Sequence, residues 1–237
     1  MPVEANNGPR LDAASDGIWR WRGWASRRIM AGITDRHTDP SWLAGGFPGA
    51  VTTVGAEQVH GGSAAVIGPA FAAGGVQSVA GCDALLTSAA GIALLIRSAD
   101  CLPIFFADRS RGAVGIAHAG WRGLAASLPI RVVAAFRHTY HSRSRDLRVA
   151  IGPGIRSCCF EVGAEFDARL APFVREQGGR RTCDLIGVAV EQLRRCGIRP
   201  ECLTDAQRCT ACESQRWFSL RREGPSTGRL ISFIMME

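Results

Sequence analysis

Hydrophobic residues occur along this chain in short uninterrupted runs rather than in long periodic stretches. Short, wholly apolar runs are typical of strands that are buried on both faces. The runs predict strands at 51–54, Ala64–Ile67, 83–87, 92–96, 104–107, 113–117, Leu147–Ile151 and Leu230–Met236.

Helical periodicity is found in three places. Residues 184–196 predict the clearest helix, because Asp184 is a capping residue and one face is mostly apolar. Residues 124–139 predict a second helix, in which Pro129 requires a late start or a kink. Residues 165–174 predict a third.

Strands and helices follow one another without regular alternation, which predicts a single α/β domain with a mixed sheet over residues 29–237. Residues 1–28 are expected to be a loosely structured N-terminal extension. Aromatic and basic residues are interleaved there: Trp19, Arg20, Trp21, Arg22 and Trp24. This alternation favours an edge strand with its tryptophans inward over a base-stacking strip for nucleic acid.

The basic residues exclude several enzyme classes. All 28 are arginine, so the chain has no lysine for a Schiff base, a pyridoxal anchor, a phosphate loop or a kinase active site. The net charge is +7, but the arginines are scattered. Scattered charge favours a basic solvated surface, so the sequence argues against nucleic acid as a partner.

The nine cysteines predict special thiol chemistry rather than disulfides. The N-terminus has no apolar signal core, and charged residues and a proline interrupt the longest apolar run, so neither secretion nor membrane insertion is predicted. A cytoplasmic protein with reduced thiols is expected, in which a special cysteine is a metal ligand or a nucleophile. Cys209 and Cys212 have the C-x-x-C spacing of half a zinc ribbon. No second pair has matching spacing, so a structural zinc knuckle is not predicted.

Three residues at predicted strand ends are candidate ligands. His60 and His118 each precede a glycine-containing turn, and Cys101 follows another apolar run. Side chains at such positions project into clefts. Two imidazoles and one thiolate suit a catalytic zinc with an open fourth position, and copper accepts the same donors. The competing interpretation is a buried core cysteine and two hydrogen-bonded scaffold histidines.

Six segments then identify a family resemblance. They are EQVHG (57–61), DALLT (83–87), SADCLPIFFAD (98–108), GIAHAGWRGL (115–124), IGPGIRSCCFEVG (151–163) and FSLRREGPSTGRLISFI (218–234). Together they closely resemble the laccase-domain family, whose members are described as multicopper polyphenol oxidases or as zinc-dependent purine nucleoside phosphorylases. The resemblance implies a layered sandwich of mixed β-sheets flanked by helices. It also implies a metal site of His60, Cys101 and His118.

The resemblance further implies an activity. This activity is phosphorolysis of adenosine, inosine and methylthioadenosine, together with deamination of adenosine, with zinc as the cofactor and copper as the alternative. Nucleosides and phosphate are the expected partners. Arg36 matches the family's pocket arginine, and Arg122 and Gln58 lie in matching motifs as further substrate or phosphate contacts. Asp100 is a candidate either for handling the purine proton or for a structural carboxylate.

The sequence departs from the family around Arg36. The usual T-R-x-G-G-V-S motif is replaced, and a longer segment is mostly missing before Val51. Two other functions would use the same candidate residues. A copper oxidase acting on phenols would need more than the five histidines present. A metal-free cysteine hydrolase would use Cys101 as nucleophile and His118 as base.

Overall fold

The computed structural model describes residues 9–13, 16–24, 28–39, 47–71, 74–164 and 166–237. In this part of the chain the strands are β1 (Arg10–Ala13), β2 (Ile18–Arg22), β3 (Ile29–Thr34), β4 (Thr52–Ala56), β5 (Ala64–Ile67), β6 (Gly75–Val79), β7 (Ala84–Thr87), β8 (Ile92–Ser98), β9 (Leu102–Asp108), β10 (Ala113–Ala119), β11 (Leu147–Ile151), β12 (Val174–Gln177), β13 (Arg180–Cys183), β14 (Leu203–Asp205) and β15 (Leu230–Met236). The α-helices are α1 (Trp121–Ala125), α2 (Leu128–Tyr140), α3 (Leu185–Arg195) and α4 (Leu220–Glu223).

Two mixed sheets form the centre of the molecule. The larger has the strand order β1-β2-β3-β15-β8-β4-β6, and the smaller has the order β14-β11-β9-β10-β7-β5. Most neighbouring strands are antiparallel, whereas β4 runs parallel to both β6 and β8. β12 and β13 form a separate hairpin. The predicted α/β class and the single-domain sandwich of mixed sheets are confirmed.

The smaller sheet is covered on both faces, which explains its apolar sequence. Every residue of β9 and β10 is buried. Because side chains alternate along a strand, Ile104 and Phe106 pack with the helices, whereas Phe105 and Ala107 pack with the larger sheet. The molecule is therefore layered as helices, six-stranded sheet and seven-stranded sheet.

The helices agree with the sequence in part. α3 is confirmed, and Oδ1 of Asp184 accepts a hydrogen bond from the Gly187 backbone N–H at 3.0 Å. The predicted helix at 124–139 is divided, and α2 starts late, with Pro129 in its first turn. The third predicted helix is wrong as an α-helix, because Ala168–Phe173 forms a 3-10 helix that contains a proline. Within the described residues, no helix has the length and apolar character needed to cross a bilayer.

Part of the predicted N-terminal extension belongs to the larger sheet. The expectation of loose structure is wrong for β1 and β2, which pair with each other, while β2 also pairs with β3. Trp19 and Trp21 are buried and Arg22 is exposed, which confirms a strand with its tryptophans inward. The predicted edge position is wrong, because β2 lies between β1 and β3 and β1 forms the edge. The Trp21 ring meets Phe105 edge-on at 6.1 Å. Hydrophobic burial thus anchors this segment across the two sheets.

Candidate metal centre and its cleft

The three predicted ligands lie together at one end of the smaller sheet. His118 is near the end of β10, Cys101 immediately precedes β9, and His60 lies in the loop between β4 and β5. Their ligand atoms all lie within 4.8 Å of one another. The two imidazole centroids are 4.8 Å apart, with the rings nearly perpendicular at 83°. The fold therefore brings two nitrogen donors and one sulfur donor to one point.

A buried carboxylate orients both histidines. Asp83 Oδ1 lies 3.0 Å from Nδ1 of His118 and accepts a hydrogen bond from the His60 backbone N–H at 2.9 Å. Oδ2 accepts from the Gly61 backbone N–H at 2.7 Å. Burial raises the pKa of Asp83, but hydrogen bonds, with His118 the strongest contributor, lower it below its usual range. A carboxylate on Nδ1 leaves Nε2 of His118 as the ligand atom.

The protonation of the sulfur is shifted toward the form that binds metals. Burial raises the pKa of the Cys101 thiol, but hydrogen bonds from His118 and His60 outweigh burial and lower that pKa to about 7. Burial lowers the pKa of His118, but Asp83 and the Cys101 sulfur outweigh burial and raise it to about 9. These shifts favour a Cys101 thiolate beside a protonated His118. The sulfur is thus shifted toward the form that binds metals, whereas a metal ion would have to displace the proton from Nε2 of His118.

The donor set suits a metal ion with one open position, and both zinc and copper accept these donors. Two imidazoles and one thiolate are three protein ligands, whereas a structural site would supply four. Gly120 keeps the space beside the sulfur free, because a Cβ there would lie 2.8 Å from the Cys101 Sγ and 3.4 Å from Cδ2 of His60. His60 is exposed and His118 is buried, so the open side faces solvent.

Asp100 holds the turn that carries Cys101. Its Oδ1 accepts a hydrogen bond from the Thr210 hydroxyl at 2.6 Å, and its Oδ2 accepts one from the Arg221 backbone N–H at 2.7 Å. Asp100 has φ 91°, a conformation that is strained for an L residue and persists only where its surroundings hold it. Because both carboxylate oxygens have donors, the geometry favours the structural interpretation of Asp100 over the proton-handling one.

The centre opens into a cleft of about 460 Å³, within the size range of small-molecule sites. Trp121 and Phe160 supply aromatic faces to its lining, and Arg122 and Arg221 supply positive charge. The Arg122 guanidinium lies 4.4 Å from the Trp121 ring centroid, and that of Arg221 lies 5.2 Å from the Phe160 ring centroid. The cleft thus presents two arginine-on-aromatic pairs beside the three ligands.

Two residues that were predicted to contact the substrate, Arg36 and Gln58, do not line the cleft. Nη1 of Arg36 donates to Oε1 of Glu223 at 2.8 Å and to the Ser214 carbonyl. Arg36 therefore lines a neighbouring pocket and not the cleft. The Gln58 side chain pairs with the backbone N–H and carbonyl of Arg97, which occupies both ends of its amide.

Sequence reasoning missed two residues that the site uses. Asp83 starts the DALLT segment, and Arg221 lies in the FSLRREG segment. Both segments were part of the family resemblance, but neither residue carried a pattern of its own. A buried acid at a strand start gives no signal until the fold places a histidine beside it.

Comparison with known proteins agrees with this geometry. The family model described as multi-copper polyphenol oxidoreductase laccase matches residues 43–237. The chain is 34 % identical over 215 residues to purine nucleoside phosphorylase YlmD of Geobacillus stearothermophilus, covering 85 % of this chain and 77 % of YlmD. It is 32 % identical to purine nucleoside phosphorylase YfiH of Escherichia coli K12, but the match spans only 63 % of that protein.

The chain is also similar to a solved structure and to a relative that is named for a different activity. The crystal structure of YlmD superposes with a TM-score of 0.87 at 29 % identity, covering 97 % of this chain and 99 % of YlmD. A protein named adenosine deaminase RL5, from an unknown prokaryotic organism, is 32 % identical over 163 residues, which is 62 % of its length. Because the family model matches most of this chain and YlmD has the same fold, the chain belongs to the laccase-like multi-copper polyphenol oxidoreductase family.

Proposed function

We propose that this protein is a zinc-dependent purine nucleoside phosphorylase that cleaves adenosine, inosine and methylthioadenosine and also deaminates adenosine. The observation that carries the proposal is the convergence of His60, Cys101 and His118 beside a cleft that contains aromatic faces and arginines. The names of the relatives YlmD, YfiH and RL5 support the same two reactions.

The cleft offers separate surfaces to the two substrates. Arg122 and Arg221 lie over the rings of Trp121 and Phe160, so a purine would stack on the aromatic surface that these guanidinium groups leave uncovered. Arg122 and Arg221 present guanidinium groups, whose planar fork of donors suits bidentate binding of phosphate. We assign the purine to the aromatic pair and the phosphate to the two arginines.

Phosphorolysis needs little covalent chemistry from the protein. A phosphate oxygen forms a bond to C1′ of the ribose while the bond from C1′ to the purine nitrogen breaks. The bonding electrons leave with the purine, which takes up a proton, and ribose 1-phosphate remains. The arginines hold the attacking phosphate in position, and positioning alone supplies a large part of such a rate enhancement.

The metal centre would be built by this chain's own residues. His60, Cys101 and His118 would hold the ion, Asp83 would fix the tautomer of His118, and Asp100 would hold the Cys101 turn. Bound zinc supplies Lewis-acid stabilisation of negative charge and makes water a competent nucleophile at neutral pH, which is the requirement for deamination.

The reaction is tested with purified protein and adenosine or inosine, with and without phosphate. We expect free base and ribose 1-phosphate only when phosphate is present, and inosine from adenosine in either case. Chromatography separates the bases from the nucleosides. Release of base at the same rate without phosphate would contradict phosphorolysis.

The phosphate contacts are tested by comparing arginine variants. Arg122→Ala and Arg221→Ala should each raise KM for phosphate more than they change zinc content, because both guanidinium groups lie outside the ligand set. Arg194→Ala is the matched control, since Arg194 is exposed on α3. Arg36→Ala tests the original prediction for Arg36. An effect on phosphate KM from Arg36 alone would move the phosphate site to the neighbouring pocket.

The same experiments distinguish the proposed function from the two alternative functions. Activity that survives complete metal removal and is lost in Cys101→Ala would indicate a cysteine hydrolase. Copper-dependent oxidation of phenols, without turnover of any purine nucleoside, would indicate an oxidase. We expect neither outcome.

A further inference from the structure

Four cysteines outside the cleft also form a cluster. The sulfur atoms of Cys158, Cys159, Cys209 and Cys212 all lie within 4.8 Å of one another. Cys212 Sγ is 3.5 Å from Cys158 Sγ and 3.4 Å from Cys159 Sγ. The sequence has no second cysteine pair with the C-x-x-C spacing of Cys209 and Cys212, and for that reason a structural zinc knuckle was not predicted. The fold nevertheless brings the adjacent cysteines Cys158 and Cys159 beside this pair.

The fold brings the two pairs together across two loops. Cys158 and Cys159 lie in the loop that follows β11, and Cys209 and Cys212 lie in the turn that follows β14. β11 and β14 are parallel neighbours, and the pairing continues past their ends as a bridge between Gly154 and Cys209. The C-x-x-C turn is closed by a hydrogen bond from the Glu213 backbone N–H to the Cys209 carbonyl at 3.1 Å.

The distances fit a shared metal ion better than a disulfide. Sulfur atoms at about 2.3 Å from a tetrahedral zinc lie about 3.8 Å from one another, whereas a disulfide requires about 2.05 Å. The two measured sulfur pairs are close to the first value, and all four cysteines are free. Four thiols also supply a complete tetrahedral set, which has no open position for a substrate.

Arginine guanidinium groups lie near the four cysteines, where they can offset the negative charge of thiolates. Nη2 of Arg180 lies 3.4 Å from the Cys158 carbonyl, and Nη1 of Arg221 lies 3.4 Å from the Cys159 carbonyl. Nη1 of Arg222 donates to the carbonyls of Thr210 and Ala211, inside the C-x-x-C turn, at 2.7 and 2.8 Å. Four thiolates around a divalent cation carry a net charge of −2, which guanidinium groups from β13 and α4 can partly offset. Arg180 also pairs with Glu161, and Arg222 also pairs with Glu223.

We propose that Cys158, Cys159, Cys209 and Cys212 bind a second zinc ion, which is structural and separate from the ion held by His60, Cys101 and His118. Binding displaces one proton from each thiol that is not already ionised, and no electron is transferred. The proposal does not depend on the substrate or the reaction assigned above.

This second site would hold one wall of the cleft in place. Phe160 follows Cys159 directly and lines the cleft, and Thr210 follows Cys209 directly and donates to Asp100. Because Asp100 positions Cys101, the structural ion would support the catalytic centre through one hydroxyl and one carboxylate. Its loss should therefore weaken catalysis without removing any residue that touches the substrate.

The first test is the zinc content of protein purified without added metal. We expect two zinc ions per chain in the wild type, one in His60→Ala/Cys101→Ala, and one in Cys209→Ser/Cys212→Ser. Cys196→Ser is the matched control, because Cys196 lies at the end of α3 outside both clusters, and it should keep two ions and full activity. A wild type with a single zinc that the His60→Ala/Cys101→Ala variant loses entirely would overturn the proposal.

A second measurement keeps the proposal testable if the cysteine variant does not fold. In the His60→Ala/Cys101→Ala background, cobalt substitution should give the intense thiolate-to-metal charge-transfer bands of a tetrahedral four-sulfur site. Bound zinc should protect four cysteines from alkylation until a chelator is added. Iron in place of zinc, or a native mass lighter by two hydrogens for each sulfur–sulfur bond, would overturn the assignment in favour of an iron site or a disulfide.

Discussion

Nδ1 of His118 lies 3.0 Å from Oδ1 of Asp83, and both side chains are buried. This pair decides which nitrogen of the ring can face Cys101. The same carboxylate also binds the backbone of His60, so one side chain orients two of the three ligands. Asp83 therefore orients two of the candidate metal ligands although it is not itself one of them.

Asp83→Asn should weaken zinc binding at the catalytic centre by about 10–100-fold, because an amide can present its NH₂ to Nδ1 and no longer selects the tautomer. Competition with a chelating dye, in protein whose four-cysteine site is loaded, measures this affinity. Asp146→Asn is the control, since Asp146 is exposed, and it should leave the affinity unchanged. Equal affinities in both variants would show that Asp83 does not orient the ligand.

In Gly120→Ala the new Cβ would lie 2.8 Å from the Cys101 Sγ, so either the sulfur or the backbone at residue 120 must move. We expect loss of catalytic zinc and at least a tenfold fall in kcat. Gly68→Ala has open space around its Cβ and is the matched control. Metal analysis and steady-state kinetics on the two variants check the prediction. Full zinc content in Gly120→Ala would mean that the sulfur does not face this space.

Thr210→Val removes the hydroxyl that binds Asp100 while keeping the shape of the buried side chain. An unsatisfied buried carboxylate oxygen costs roughly 1–3 kcal/mol, so the free energy of unfolding should fall by that order. kcat should fall while KM changes little, because Asp100 acts on Cys101 and not on the substrate. Thr210→Ser restores the hydroxyl and should restore kcat. Failure of the serine variant to do so would assign the effect to packing.

Glu223 should make stability depend on pH in the acid range. Hydrogen bonds from Thr227, Arg222 and Arg36 outweigh burial and lower the pKa of Glu223 from 4.5 to about 2. A lowered pKa in the folded state stabilises the fold above pH 4.5, and this contribution is lost as the pH falls toward 2.

Glu223→Gln should therefore lower Tm at pH 7, and the difference from the wild type should shrink steadily below pH 4.5. Thermal unfolding followed at several pH values measures both effects. Glu176→Gln, at an exposed position of β12, should have the same Tm as the wild type throughout. A Tm difference that is independent of pH would show that the Glu223 charge is not involved.

The buried strands and the metal ligands could be predicted because their signals are local. A strand covered on both faces is apolar at every position, as β9 and β10 are. Cys101 immediately precedes β9 and His118 is near the end of β10, each two residues before a proline or a glycine. Strand ends of one sheet meet at one edge. Local pattern made these residues candidates, and the resemblance to the laccase-domain family selected the metal-site interpretation over that of buried scaffold residues.

The four-cysteine cluster could not be predicted because its two halves are distant in the sequence. Cys158 and Cys212 are 54 residues apart, and only the parallel pairing of β11 with β14 brings their loops together. The same applies to Arg36, whose motif suggested a phosphate contact. Its guanidinium direction is set by Glu223, 187 residues away. Which residues pair over such separations depends on the topology of the fold, which local sequence patterns do not determine.

The position of β15 has a consequence for how the protein is made. This strand lies between β3 and β8, although roughly 200 residues separate it from β3 along the chain, and pairings so distant in sequence form slowly. Until residues 230–236 have been synthesised, β3 and β8 each lack a neighbour on one side and expose an edge that can pair with another chain. Completion of the larger sheet therefore waits for the synthesis of β15, and a ribosome that stalls shortly before residue 230 would carry an aggregation-prone chain.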